Sequence, residues 1–265
     1  MALLHHSLPG SPALRAALAL AALLRIAGPA SAVVAGSPAD RTVSQSLVMV
    51  LAEGGLACSG VVIAPRAVLT AGHCLPNRKA IRIYAPTPGA PPEAPRLIPP
   101  SAKAVHPAYV PNAAGTRRLS IDLALIRLPE ALPAAFSPAR LSASPAPDAG
   151  AAVIVAGDGL ADEAQPSSSG RPRSAMLTVI EPYGRGRILL WAAPASGADA
   201  GACKGDSGGA MFGTSGSLLA VIAFAEGAGK SRCGRLTQGV LVAPQRPFID
   251  ATLAGWGEAA RWTQQ

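Results

Sequence analysis

The sequence predicts an all-β protein with enough strands for a double barrel. Two observations lead there. Short apolar runs recur along the chain and are punctuated by glycine and proline, which break helices and mark turns. Helical signals, in contrast, are confined to the C-terminus after Pro247. In order, the strand candidates are Val48 to Leu51, Gly60 to Ala64, Ala67 to Thr70, Ile81 to Tyr84, Ile121 to Leu128, Ala152 to Val155, Ala175 to Ile180, Ile188 to Ala192, Leu218 to Ala225 and Gly239 to Val242. Their period-two alternation is only partial, as expected of strands buried on both faces by a second barrel.

Between the strands, Ala85 to Pro100 carries seven prolines in 16 residues, and Gln165 to Arg173 is rich in serine, proline and arginine. Proline cannot donate to a ladder, so both read as loops. A third proline/alanine stretch, Ser137 to Pro147, lies near the midpoint and reads as a linker between halves of about 33–138 and 139–250. No internal repeat is visible.

The chain has 265 residues, 23 basic and 15 acidic side chains, a formal charge of +8, and 49% apolar residues. That apolar share includes 56 alanines and only ten aromatics, so it adds little buried area per residue. The longest membrane-like run, Ala16 to Ala27, is short and broken by Arg25, so no membrane span is expected. A charged fraction of 14% with recurring apolar segments argues against disorder. Basic residues such as Arg171, Arg173, Arg185 and Arg187 fall in loop-like contexts, with no basic helix or aromatic-interleaved stripe, so no nucleic-acid partner is expected.

Residues 1–32 read as a signal peptide: an Ala/Leu run, then Gly28-Pro29-Ala30-Ser31-Ala32, whose Ala30 and Ala32 fit a small-x-small cleavage site. An amphipathic or core helix is the alternative. Removing the leader deletes Arg15 and Arg25 and no acid, so the balance becomes 21 minus 15, or +6. Four cysteines suit the oxidising compartment that export implies, secreted or periplasmic, and could form two disulfides in any of three pairings.

Three motifs carry chemistry. Gly201-Ala202-Cys203-Lys204-Gly205-Asp206-Ser207-Gly208-Gly209 supplies a serine in a tight glycine turn, where the N–H groups of Gly205 and Ser207 would face a developing oxyanion. Leu69-Thr70-Ala71-Gly72-His73-Cys74 ends an apolar strand on a histidine beside a cysteine, a place for a general base. Ile121-Asp122-Leu123 sets one carboxylate in an apolar run, where it needs a buried partner such as an imidazole N–H. Asp148, Asp158 and Asp162 lie in loop-like contexts and are weaker candidates.

Taken in the order His, Asp, Ser, these motifs resemble the chymotrypsin/trypsin family of serine endopeptidases. The resemblance extends to Val33-Val34-Ala35-Gly36, Cys58-Ser59-Gly60, His106-Pro107-Ala108-Tyr109 and Val155-Ala156-Gly157-Asp158-Gly159. It implies two six-stranded antiparallel β-barrels with the site in the cleft between them, followed here by a short C-terminal helix. It also implies that Ser207 is the nucleophile, His73 the base, Asp122 the acid that orients it, and Gly205 and Ser207 the oxyanion hole. By the same resemblance Cys58 pairs with Cys74 and Cys203 with Cys233, and the Val33 amine, once freed, pairs with Asp206. Ala32 precedes Val33, so leader removal alone would create that amine.

Pocket residues also follow from the resemblance. Gly201 would form the floor, Ala223-Phe224-Ala225 the substrate-binding strand and Gly239 the far wall, an uncharged slot suited to apolar P1 residues; Asp199 lies two residues too early for a carboxylate floor. Glu226 stands at the rim. Where some relatives bind calcium, the proline-rich loop offers only Glu93, so no metal or other cofactor is expected. His106 is expected to be structural, and Asp158 stands where a tryptophan is usual, implying altered packing. The expected partner is a peptide or protein substrate of a monomeric enzyme with no membrane association in its mature form. The competing readings are a catalytically silent binding protein on the same scaffold and an ester-biased hydrolase.

Overall fold

Antiparallel strands make up most of the computed structural model, which describes residues 33–75, 80–86, 97–113, 118–182, 184, 186–195 and 199–264. The expected leader and Glu93 lie outside these residues, and everything below belongs to the compact unit Ser31–Gln265. The first half comprises β1 (Ser37–Pro38), a short helix α1 (Arg41–Ser44), β2 (Leu47–Ala52), β3 (Leu56–Ala64), β4 (Ala67–Thr70), β5 (Ile81–Tyr84), β6 (Leu97–Ile98), β7 (Ala102–Val105) and β8 (Ala124–Arg127). The second comprises β9 (Leu141–Ser142), β10 (Ala152–Gly157), β11 (Arg173–Ile180), β12 (Leu189–Ala193), β13 (Ala210–Gly213), β14 (Leu218–Gly227), β15 (Gly234–Leu241), helix α2 (Arg246–Gly255) and β16 (Trp262–Thr263).

The second half closes. Its strands run β13-β10-β11-β12-β15-β14, and a β13–β14 pairing completes a six-stranded barrel, with β9 and β16 added beside β14 and β1 beside β11. Seven strands of the first half run β6-β5-β2-β3-β4-β8-β7, an open half-barrel among the described residues rather than a closed six-stranded one. This is the expected double-barrel architecture, with one barrel incomplete at its edges.

Partial alternation now has its cause. Val48, Val50, Val62, Val68 and Ile126 fill the interior of the first half, while Leu47, Val61, Ile63, Leu69 and Leu125 of the same strands face outward into a layer shared with Ala156, Ala210, Phe212, Leu218 and Val221. Strands β10, β13 and β14 turn Val153, Val155, Met211 and Ile222 inward, so they too are covered on both faces. Fully burying each large side chain contributes about 1.5–3 kcal/mol. Ile249 and Leu253 of α2 join the shared layer, and Pro247, in the first turn where no N–H is needed, starts that helix.

Several elements differ from the sequence reading. Helix α1 lies far from the C-terminus; Asp40 caps it by accepting the Val43 N–H at 2.8 Å. Leu97–Ile98 forms a strand inside the proline-rich segment. β13 was hidden beside the Gly-rich motif, and β15 starts at Gly234 instead of Gly239. Residues 121–123 are irregular and β8 begins at Ala124, which frees Asp122 to turn toward His73. The linker between halves is stitched to both, since Ala139 N–H bonds Val62 O at 2.8 Å and Leu141 pairs with Leu218 and Trp262.

Candidate active site

The cleft between the halves is assembled from strand ends. β4 delivers His73 in a 3-10 turn, Gly72–Cys74, and the segment before β8 delivers Asp122. Asp122 Oδ2 lies 2.7 Å from His73 Nδ1, and its Oδ1 accepts the main-chain N–H of His73 at 2.8 Å. Gly72 makes this approach possible: a Cβ there would stand 3.0 Å from Asp122 Oδ1 and 3.0 Å from the Tyr109 ring. Burial, and then the Asp122 charge, push the Tyr109 phenol above its ordinary pKa.

Ser207 meets the histidine side through its main chain. Its carbonyl accepts Ser59 N–H at 2.8 Å and lies 3.7 Å from the disulfide sulfur of Cys74. The bridges Cys58–Cys74 and Cys203–Cys233 are formed, one beside His73 and the other at the start of the Ser207 loop. Gly205 and Gly208 adopt φ of +97° and +83°, values that strain any residue with a Cβ. Among the described residues neither Gly205 N–H nor Ser207 N–H has an acceptor, so two donors flank the serine with free hydrogen-bonding capacity.

Asp206 is fully buried behind this loop, and accepts N–H groups of Gly159 and Cys203, each at 2.8 Å. Burial pushes its carboxyl up to about 7 while those two hydrogen bonds pull it down. Asp158 is not in an exposed loop: it is 2% exposed, its Oδ2 is buried with no hydrogen-bond partner, and burial together with the Asp206 charge raises it to about 7. A buried carboxylate in place of a bulky aromatic is therefore an electrostatic change as well as a packing one. His106 packs edge-on against Phe248, ring centroids 4.6 Å apart, and burial lowers its pKa.

Val33 is fully buried with φ +51°, and the adjoining Val34 bridges Gly201, whose N–H donates to Val34 O at 3.2 Å. Asp199 is exposed. Gly239 is not beside Gly201: it packs in the barrel interior, where a Cβ would stand 2.6 Å from Met211 Sδ and 3.0 Å from Ala220. The β15 residues that reach Gly201 are Gly234, whose Cα would lie 3.6 Å from a Cβ at 201, and Thr237, whose Oγ1 accepts Ala202 N–H at 3.0 Å and would lie 3.0 Å from that Cβ. Register explains the difference, because β15 begins five residues earlier than its apolar run suggested and so brings Thr237 opposite Ala225.

A groove of about 640 Å³ runs from His73 and Asp122 past Tyr109, Leu119, Trp191 and Phe224. Leu119 is 72% and Phe224 42% exposed, unusual for large apolar side chains and suited to contact with an extended apolar ligand. A second cavity of about 450 Å³ lies against the Ser207 loop, lined by Ala57, Asp158, Leu160, Glu163 and Lys204. Two side-chain groups approach metal-ligand spacing, Cys58/His73/Cys74 and Glu163/Cys203/Cys233, but the cysteines in each are bonded to one another. Sequence reading gave no role to Ser59, Thr70, Thr237 and Glu163, whose partners lie 146, 11, 35 and 70 residues away in the chain.

Comparison with known proteins bears on the family and the fold. The family model described as Trypsin matches residues 33–243. Trypsin iota of Drosophila melanogaster is 30% identical over 172 residues, a match that covers 60% of this chain and 64% of that protein's length. Among solved structures, human heparin binding protein superposes with a TM-score of 0.66 at 24% identity, covering 83% of this chain and 96% of that one. No helix among the described residues is long and apolar enough to cross a membrane.

Proposed function

The chain belongs to the trypsin family, and from that premise we propose that it is an exported serine endopeptidase with His73, Asp122 and Ser207 as its triad. The observation that carries this reading is the two-point hold of Asp122 on His73. A carboxylate in that position keeps the Nδ1 proton in place and leaves Nε2 free to act as base. Ser207 Oγ attacks the scissile carbonyl as His73 takes its proton. Negative charge developing on the carbonyl oxygen falls to the N–H groups of Gly205 and Ser207. His73 then protonates the leaving amine, and water, activated by the same imidazole, hydrolyses the acyl-enzyme.

The P1 slot is uncharged: Gly201 at its base, Thr237 beside it, and Ala223 and Ala225 on the strand that the substrate would join. Apolar P1 residues follow, with Leu119 and Phe224 taking apolar groups further along the peptide. Kinetics on a P1-varied peptide series test this part, and faster cleavage after Arg or Lys than after Leu, Phe or Ala overturns it.

Removal of residues 1–32 at Ala32–Val33 would free the amine of Val33 to pair with Asp206. A β-branched residue at φ +51° is strained by about 1–2 kcal/mol, and cutting the preceding bond releases that constraint. The site is then complete in the medium or periplasm. Mass analysis of the exported protein tests the step, since a mature N-terminus other than Val33 contradicts it. For the reaction itself, a fluorophosphonate should label the protein and Ser207→Ala should abolish labelling. Absence of labelling would leave a silent binding protein, and labelling without casein cleavage an esterase.

A further inference from the structure

Five consecutive carbonyls of the nucleophile loop each have a donor. Cys203 O takes Asp206 N–H at 3.0 Å, Lys204 O takes Leu160 N–H at 2.9 Å, and Asp206 O takes Gly209 N–H at 2.9 Å. The remaining two go to one residue: Gly205 O accepts Ser59 Oγ at 2.9 Å, and Ser207 O accepts Ser59 N–H at 2.8 Å. Ser59 is fully buried in β3, next to the disulfide half Cys58.

Its hydroxyl is also an acceptor, from Asp158 N–H at 2.8 Å, and Asp158 belongs to the turn whose Leu160 holds Lys204 O. The Ser59 carbonyl accepts Thr70 Oγ1 at 2.8 Å, three residues before His73. Gly208 rests directly on this pair; a Cβ there would stand 2.1 Å from Thr70 Oγ1 and 2.2 Å from Ser59 O. One buried residue, through its hydroxyl and its main chain, thus joins the histidine strand, the nucleophile loop and the turn around Asp206.

We infer that Ser59 is a positioning residue for oxyanion binding: its hydroxyl fixes the Gly205–Asp206 peptide, which links the two peptides whose N–H groups, those of Gly205 and Ser207, would face the oxyanion. The reason is conformational. Gly205, at φ +97° and without a Cβ, offers little intrinsic resistance to rotation of its two flanking peptides. One peptide is held through Lys204 O and the other through Gly205 O. Without the Ser59 hydroxyl, Gly205 O and Asp158 N–H both become buried groups lacking a partner, and the loop can relieve that cost by rotating the peptide. Such a rotation would pull the Asp206 N–H off Cys203 O and shift the adjoining peptides, which carry the Gly205 and Ser207 N–H groups that would face the oxyanion.

This inference rests on the proposed protease reading. Ser59→Ala and Ser59→Gly both delete the hydroxyl, and a folded sample of either decides the matter. Fluorophosphonate labelling counts active sites; kcat and KM are then measured on a peptide substrate, and affinity is compared for a peptide aldehyde, whose adduct places an oxyanion in the hole, and for the matching product peptide. Removing an oxyanion donor outright costs on the order of 10²–10³ in rate; a supporting residue should cost about ten- to a hundredfold in kcat. Aldehyde affinity should fall in step with kcat, while KM and product affinity stay unchanged. Equal kcat per labelled site, or equal losses for aldehyde and product, overturns the positioning role while leaving the protease reading intact. A wild-type protein that does not label removes both.

Discussion

Asp122 holds His73 at two points, its Oδ2 2.7 Å from Nδ1 and its Oδ1 2.8 Å from the main-chain N–H. In Asp122→Asn the amide oxygen can keep the main-chain contact, but the amide NH₂ then faces Nδ1 and favours the tautomer protonated on Nε2, the nitrogen proposed to accept the serine proton. Stability should change little and kcat should fall on the order of 10⁴-fold, the size known for this replacement in the serine-protease triad. Thermal unfolding and single-substrate kinetics check the two halves of that expectation.

Gly72 admits both Asp122 and Tyr109 to van der Waals distance, with 3.0 Å left for a Cβ on either side. Gly72→Ala therefore pushes on the carboxylate that orients His73. Overpacking of this kind costs typically about 1–3 kcal/mol. The expected result is a lower unfolding midpoint together with a lower kcat. A drop in stability with kcat unchanged would show that Tyr109 alone had yielded.

Much of this candidate site was legible because its residues sit in contiguous motifs. His73, Asp122 and Ser207 each lie in a short apolar or glycine-rich string, and the two cysteine pairs accompany them. Thr237 was not legible, since its place depends on where β15 begins, and the apolar run that marks the strand starts after it. Ser59 read only as part of a Cys-Ser-Gly string; its importance comes from contacts 99 and 146 residues away in the chain. Asp158 read as a loop acid because glycines surround it, yet those glycines let the turn wrap Asp206, where a Cβ at 157 would come within 2.4 Å of Oδ1.

Glu163 ties two loops together. Its carboxylate accepts the Ser231 hydroxyl and the N–H groups of Arg232 and Cys233 at 3.0 and 3.1 Å. These bonds, the Ser231 hydroxyl first, hold its pKa below the usual carboxylate value. A lowered folded-state pKa means the latch contributes at neutral pH and is lost as pH falls through that value. Because Cys233 is bonded to Cys203, two residues from Gly201, the latch bears on the P1 slot proposed above. Glu163→Gln should raise KM a few-fold at pH 7 and leave kcat alone; a matching wild-type KM would mean the disulfide holds the frame unaided.

Asp158 and Asp206 make stability depend on pH with the opposite sign to that of a salt-bridged acid. Burial raises both to about 7 in a chain whose Val33 is still joined to the residue before it. Between about pH 4 and 7 the folded state therefore keeps protons that the unfolded state has released. Their contribution is complete below pH 4 and fades as pH rises through 7. Freeing the Val33 amine would place a cation against Asp206, lower its pKa and reduce that loss. Thermal unfolding of Ser207→Ala protein with residues 1–32 attached should show a midpoint that falls from pH 5 to 7.5. The slope should be shallower in the form that begins at Val33, and shallower in either form on adding Asp158→Asn. A midpoint that rises across this range in the extended form would contradict the assignment, because two carboxyls held neutral by burial impose a downward slope.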